Sequence, residues 1–151
     1  MLHDEMYMRE ALYEARLASS KGEVPIGAVI VRRGVIIARG HNLKEQGRNA
    51  QLHAEMIALE KASKHLNSWR LTGCTLYVTI EPCLMCAGAI YQSRVSRVVY
   101  GSKDIKAGAF GSLYDLSQDK RINHRVQLEK GILSDETAQI MSSFFEKLRV
   151  K

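Results

Sequence analysis

Two short clusters constrain this chain more than any other feature: His53-Ala54-Glu55 and Glu81-Pro82-Cys83-Leu84-Met85-Cys86. Two cysteines three apart at a helix start can place both sulfurs on one side of the first turn, and a helix N-terminus lowers thiol pKa. Thiolates bind zinc, and His53 offers a third ligand. Three protein ligands leave the fourth tetrahedral position to water, the arrangement of catalytic rather than structural zinc. Glu55 stands two residues beyond His53 and is free to point elsewhere, as a proton shuttle must. The chemistry is hydrolytic: zinc-bound hydroxide attacks an electron-poor carbon while Glu55 moves the proton. A structural zinc site with an incidental Glu55 is the bland alternative, but it needs a fourth ligand, and neither Cys74 nor His41 fits the pattern. Cys74 reads instead as a small buried residue at a strand start.

The rest of the chain must fold around these clusters. Met8, Ala11, Leu12, Ala15 and Ala18 share one face of a helix over 5–19, which Gly22 stops. Ile26–Val31 and Val35–Ala38 form a hairpin about Arg32-Arg33-Gly34. A polar loop over 40–50 leads to a helix from His53 to Lys64. A strand covers Thr75–Ile80, and Pro82 suits the first turn of a helix over 83–93. Val95–Tyr100 is a strand, 101–122 has weak periodicity, and Arg125–Leu128 reads as a last strand. The final helix spans 134–148, with Ser134 as N-cap and an apolar stripe of Ile140, Met141, Phe144, Phe145 and Leu148. This order predicts one α/β domain over 1–151, a mixed sheet covered by helices on both faces in three layers.

Composition removes other classes. The chain has 151 residues, 46% of them apolar and 25% charged, with 11 Gly, 2 Pro and 3 Cys. It is neither disordered, collagen-like nor a disulfide scaffold. No apolar run approaches a membrane span. The start, Met1-Leu2-His3-Asp4-Glu5, lacks the layout of a secretory signal, so we expect a complete, cytoplasmic chain with reduced cysteines. The net charge is +6, concentrated beyond residue 93, where 11 Lys/Arg face 7 Asp/Glu. That bias favours a polyanionic partner.

The order His-x-Glu…Pro-Cys-x-x-Cys is the signature of zinc nucleobase deaminases. From Met8 to about Arg149 the chain resembles the bacterial tRNA-specific adenosine deaminases. Beyond the zinc clusters, the likeness runs through Gly22-Glu23-Val24-Pro25-Ile26-Gly27, Gly40-His41-Asn42, Ser68-Trp69-Arg70-Leu71, Thr75-Leu76-Tyr77-Val78-Thr79, Arg97-Val98-Val99-Tyr100-Gly101, Asn123-His124-Arg125-Val126 and Phe144-Phe145. The resemblance implies a cytidine deaminase-like fold with a five-stranded mixed sheet, a homodimer and one Zn²⁺ per subunit. It implies conversion of the wobble adenosine, position 34, of an arginine tRNA anticodon to inosine, by hydroxide attack at adenine C6 with loss of ammonia. His53, Cys83 and Cys86 would hold the metal, and Glu55 would shuttle the proton. Asn42 would bond the flipped purine, with Val24, Pro25 and Ala54 beside it. Asp104 would meet a ribose 2′-hydroxyl, and Lys106, Asn123, Phe144, Phe145 and Arg149 would grip the anticodon stem-loop. On residues alone, Asn42 is a turn residue, Asp104 an exposed loop acid, both phenylalanines core and Arg149 a solvated charge. The sequence departs from the family at Asn49-Ala50-Gln51-Leu52, at Phe110, and in lacking a basic tail. Two other functions share the zinc residues: deamination of a free nucleobase or nucleoside, and a silent zinc-stabilised RNA-binding module.

Overall fold

The computed structural model describes residues 2–150, with the side chain of Leu2 left aside. The elements are α1 (Leu2–Ser20), β1 (Gly27–Arg32), β2 (Val35–His41), α2 (Ala54–Leu66), β3 (Cys74–Ile80), α3 (Leu84–Gln92), β4 (Arg97–Ser102), a 3-10 turn at Leu116–Gln118, β5 (Gln127–Lys130) and α4 (Ser134–Val150). The strands form one mixed sheet in the order β2-β1-β3-β4-β5. β1 runs antiparallel to both β2 and β3, whereas β3, β4 and β5 are parallel. No helix among the described residues is long and apolar enough to cross a membrane.

Strict alternation along the strands builds the layers, because successive side chains point to opposite faces. Ala28, Ile30, Leu76, Val78, Val98 and Tyr100 pack with Ala58 and Leu59 of α2 and Ile90 of α3. Val29, Val31, Tyr77 and Val99 point the other way, onto Met8 and Ala11 of α1. α4 lies beside α1 on that second face, packed on β3 and β4. The apolar face read for α1 is the buried one: Met8, Ala11, Leu12, Ala15 and Ala18 are all sealed in the core. Cys74 is likewise fully buried at the start of β3.

Three expectations shift. Strand ends follow pairing rather than hydrophobicity, so β4 starts at Arg97, opposite Thr75 and Gln127, and β5 runs to Lys130. Pro82 lies outside α3, one residue before the N-cap Cys83, and not in its first turn. The apolar stripe of α4 is only partly covered. Phe144 is buried and Ile140 and Met141 are half-buried, but Phe145 and Leu148 are exposed because the helix runs past the layer it packs on.

A partly buried ion pair helps fasten the N-terminal helix. Asp4 of α1 accepts two hydrogen bonds from Arg97 of β4, at 2.8 and 2.7 Å, and a third from the Tyr77 hydroxyl at 2.7 Å. The Arg97 guanidinium holds the Asp4 carboxyl down at about 2. An acid whose pKa is lowered by folding stabilises the fold above its unfolded pKa and loses that contribution as pH falls through its folded value. The contribution should therefore fade between about pH 4 and pH 2 and be worth about 2 kcal/mol at neutral pH. Asp4→Asn should lower unfolding free energy by about that amount at pH 7, and the difference from the parent should shrink on acidification. Urea titrations at pH 7 and pH 3 read both; an unchanged difference at the two pH values would contradict the assignment.

Candidate active site

The site forms where two helices begin. His53 is the N-cap of α2, and Cys83 is the N-cap of α3. Both adopt extended backbone, and neither side chain caps its helix. They turn toward each other instead. His53 Nδ1 lies 3.6 Å from Cys83 Sγ and 3.5 Å from Cys86 Sγ. The ligand atoms of these three residues all fall within 4.8 Å of one another. Zinc–sulfur bonds of about 2.3 Å and zinc–nitrogen bonds of about 2.0 Å at a tetrahedral angle put nitrogen and sulfur about 3.5 Å apart. The donor set therefore fits zinc both in chemistry and in span. No fourth His, Cys, Asp or Glu joins the group among the described residues. His41 is engaged elsewhere, 2.8 Å from Glu14 Oε1 and 2.9 Å from Lys21 Nζ.

The electrostatics favour thiolate and a protonatable carboxyl side by side. Hydrogen bonding to the Cys86 thiol holds the Cys83 thiol down at about 4, with His53 adding to it. The same bond to Cys83 pushes the Cys86 thiol up, and hydrogen bonding to Cys83 raises His53. Glu55, in the first turn of α2, is buried beside them. Burial pushes its carboxyl up to about 7. A carboxyl near neutrality can both take and give a proton at working pH.

Asn42 does what His53 does not. Its Oδ1 accepts the Ala54 N–H at 2.8 Å, so it caps α2 from the end of β2. Its own N–H donates to Ile26 O at 3.1 Å. One lone pair of the oxygen is taken by Ala54, and the amide Nδ2 is the group of Asn42 that can donate to a ligand. α2 sits so close to β2 that a Cβ on Gly40 would lie 2.5 Å from Ala54 O and 2.9 Å from Ala58 N. Glycine at position 40 is thus required for the approach that brings His53 and Glu55 to the strand ends.

Two carboxylates outside the predicted set organise the loops around this point. Glu23 is buried and accepts the N–H groups of Glu45 at 3.0 Å and Gln46 at 2.7 Å, pinning the loop that leads to His53. Glu81 is buried and accepts from the loop after β4. Local sequence carried little signal for either, since both act across more than twenty residues; the only clue was that each stands just before a prolyl segment of the motifs.

The remaining predicted residues divide by position. Pro25 and Ala54 are buried and Val24 is half-buried. Asp104 is half-buried, its Oδ1 accepting the N–H groups of Lys106 and Ala107, each at 3.2 Å. It is a turn-forming acid rather than a freely exposed one. Lys106, Asn123 and Arg149 are exposed. Phe144 is 9% and Phe145 39% exposed, their rings edge to face at 5.3 Å. No hydrogen bond or ring contact ties Asn123 or the α4 residues to the His53 cluster among the described residues. Phe110, the departure from the family pattern, is fully buried against Tyr91.

Comparison with known proteins agrees with this geometry. The chain matches the MafB19-like deaminase family over residues 2–149. It is 52% identical over 151 residues to the tRNA-specific adenosine deaminase of Bacillus subtilis (strain 168), covering all of this chain and 94% of that one. A solved structure from work on A-to-I editing by tRNA:A34 deaminases superposes with a TM-score of 0.86 at 40% identity, covering 89% of this chain and 98% of that one. The guanine deaminase of Nitrosomonas europaea superposes with a TM-score of 0.79 at 25% identity, covering 93% and 83%. By sequence and by fold, this chain belongs to the tRNA-specific adenosine deaminase family.

Proposed function

We propose that this chain deaminates the wobble adenosine, position 34, of an arginine tRNA anticodon to inosine. The observation that carries the chemistry is the three-residue metal group beside a buried carboxyl, with no fourth protein ligand among the described residues. The substrate class is supported by the relatives at about half identity over the full chain, which are tRNA-specific adenosine deaminases. Zinc held by His53, Cys83 and Cys86 would supply the Lewis acid that lets water ionise near neutral pH. Glu55 takes the proton of the attacking water and delivers it to ring N1 as the oxygen bonds to C6, then carries the remaining hydroxyl proton to the departing amino group. The C6–N bond breaks, a C6 carbonyl remains, and ammonia leaves. Asn42 Nδ2 donates to an acceptor on the edge of the extruded base. Val24, Pro25 and Ala54 form the wall around it.

An anticodon loop is single-stranded, so extruding its base costs less than opening a duplex. In this reading Asp104 offers its second carboxylate oxygen to a ribose 2′-hydroxyl, and Lys106, Asn123 and Arg149 meet the loop backbone. Phe144 packs, while the more exposed Phe145 offers its ring for base stacking. The reading includes a cytoplasmic homodimer. An open apolar groove between α2 and α3, lined by Met56, Leu59, Trp69 and Ala89, with Trp69 exposed, supports a self-association face there.

Zinc-loaded protein should form inosine in an arginine anticodon stem-loop, but not from free adenosine, guanine or cytosine, as read by product mass. Its apparent affinity should fall steeply with salt through counterion release. Glu55→Gln should keep the metal and lose turnover by about 10²–10⁴-fold. Product from a free base alone would move the function to nucleobase metabolism. Zinc loading with no ammonia from any of these would leave a binding module.

Asn42 can be dissected by two substitutions. Asn42→Ala removes the α2 cap and should cost about 1 kcal/mol in unfolding free energy. Asn42→Asp keeps an oxygen for the Ala54 N–H but replaces the Nδ2 donor. It should unfold like the parent and raise the stem-loop KM by about tenfold, the loss of one good hydrogen bond. Parent-like KM in Asn42→Asp would remove Asn42 from base recognition.

A further inference from the structure

Glu81 directly follows β3 and precedes Pro82-Cys83, yet the deamination chemistry assigns it no part. Its side chain is 2% exposed. Oε1 accepts the Asp104 N–H at 3.1 Å and the Ser112 hydroxyl; Oε2 accepts the N–H groups of Phe110 at 2.9 Å and Ser112 at 3.1 Å. An ionised carboxylate offers about four acceptor sites, so these four donors use its capacity. No lone pair remains for taking a proton from water or substrate. Buried polar oxygens need hydrogen-bond partners, and here three backbone amides and a hydroxyl supply them.

The clamped segment carries predicted substrate residues. Residues 103–115 connect β4 to the 3-10 turn and expose Ile105, Leu113 and Tyr114. The segment is tied back beside the metal group as well: Ala109 N–H donates to Pro82 O at 2.9 Å, and Gly108 pairs with Cys83 in an isolated β-bridge. The fit is close, because a Cβ on Gly108 would land on the Glu81 carboxylate. Glycine at 108 is what lets the segment pass over the carboxylate.

We infer that Glu81 is a positioning residue that fixes the 103–112 segment, and with it Asp104 and Lys106, against the metal centre for substrate recognition. It acts through the loop rather than on the reacting atoms. The substrate part of this inference rests on the stem-loop reading above; the clamp itself does not.

Glu81→Gln tests it, because either orientation of the amide sets its NH₂ against at least one backbone N–H. Three readouts apply to the zinc-loaded full chain: metal content, hydrogen exchange of peptides spanning 103–115, and steady-state kinetics on the stem-loop. The variant should hold the parent amount of zinc and exchange the clamped amides about tenfold faster. KM should rise about tenfold with kcat within about twofold, the signature of lost binding rather than lost chemistry. Gly108→Ala, which intrudes on the same carboxylate, should move the same readouts, and the double variant should be less than additive. If Glu81→Gln does not fold, Gly108→Ala and Ser112→Ala carry the test alone. A fall in kcat with loop exchange unchanged would place Glu81 in the chemistry and overturn the inference. Loss of zinc with loop exchange unchanged would make it a support for Cys83 instead, and unchanged exchange and KM would also overturn it. Should the parent itself fail on the stem-loop, the exchange measurement still decides the clamp, and only the substrate reading falls.

Discussion

Two helix N-termini meet side by side at the strand ends, and the rest of the site depends on that meeting. Each helix start carries roughly half a positive charge and several unpaired N–H groups. Converging two of them is unfavourable unless negative charge sits between. Here the Cys83 thiol, held at about 4, supplies it. The N-cap positions of α2 and α3 would ordinarily go to residues that bond their own helices. His53 and Cys83 occupy them and point at each other instead. The helix starts thus give up local capping to bring together three side chains that could hold a metal, and Asn42 restores one missing cap from the end of β2.

The loops beside this point are held by buried carboxylates as well as by the apolar core, which takes in Ala109 and Phe110. Glu23 fastens the segment before His53, and Glu81 the segment after β4. Both are buried, and both accept backbone N–H groups from chain more than twenty residues away. Such bonds are strong because one partner is charged, and they fix backbone position more tightly than packing of exposed loops can. Preorganised surroundings of this kind are what a site needs to hold catalytic groups within a narrow range of productive geometry. Tyr91 packing on Phe110 and the close passage of Gly108 serve the same segment.

Much of this was legible in the sequence, and the pattern of what was not has a physical cause. The apolar runs of β1, β3 and β4, buried on both faces, and the five buried positions of α1 are local features that the sequence records directly. The ligand triad was readable because spacing within a helix turn and an N-terminal position are also local. Glu81 was visible as a letter in the motif but not as a clamp, since its partners lie at 104, 110 and 112. Asn42 read as a turn residue because its cap partner belongs to the next element. The α4 stripe overstated burial: periodicity marks an apolar face but not how far the neighbouring layer extends, so Phe145 and Leu148 emerge exposed while Phe144 does not.

X-ray absorption at the zinc edge of the loaded protein tests the central claim most directly, that this convergence builds a three-ligand centre with one position left open. The account predicts two sulfurs at about 2.3 Å and two nitrogen or oxygen neighbours at about 2.0 Å, one of them from solvent. It also predicts that Cys83→Ser removes one sulfur shell contribution. A third sulfur, or two imidazoles, would contradict it by showing a closed, structural site.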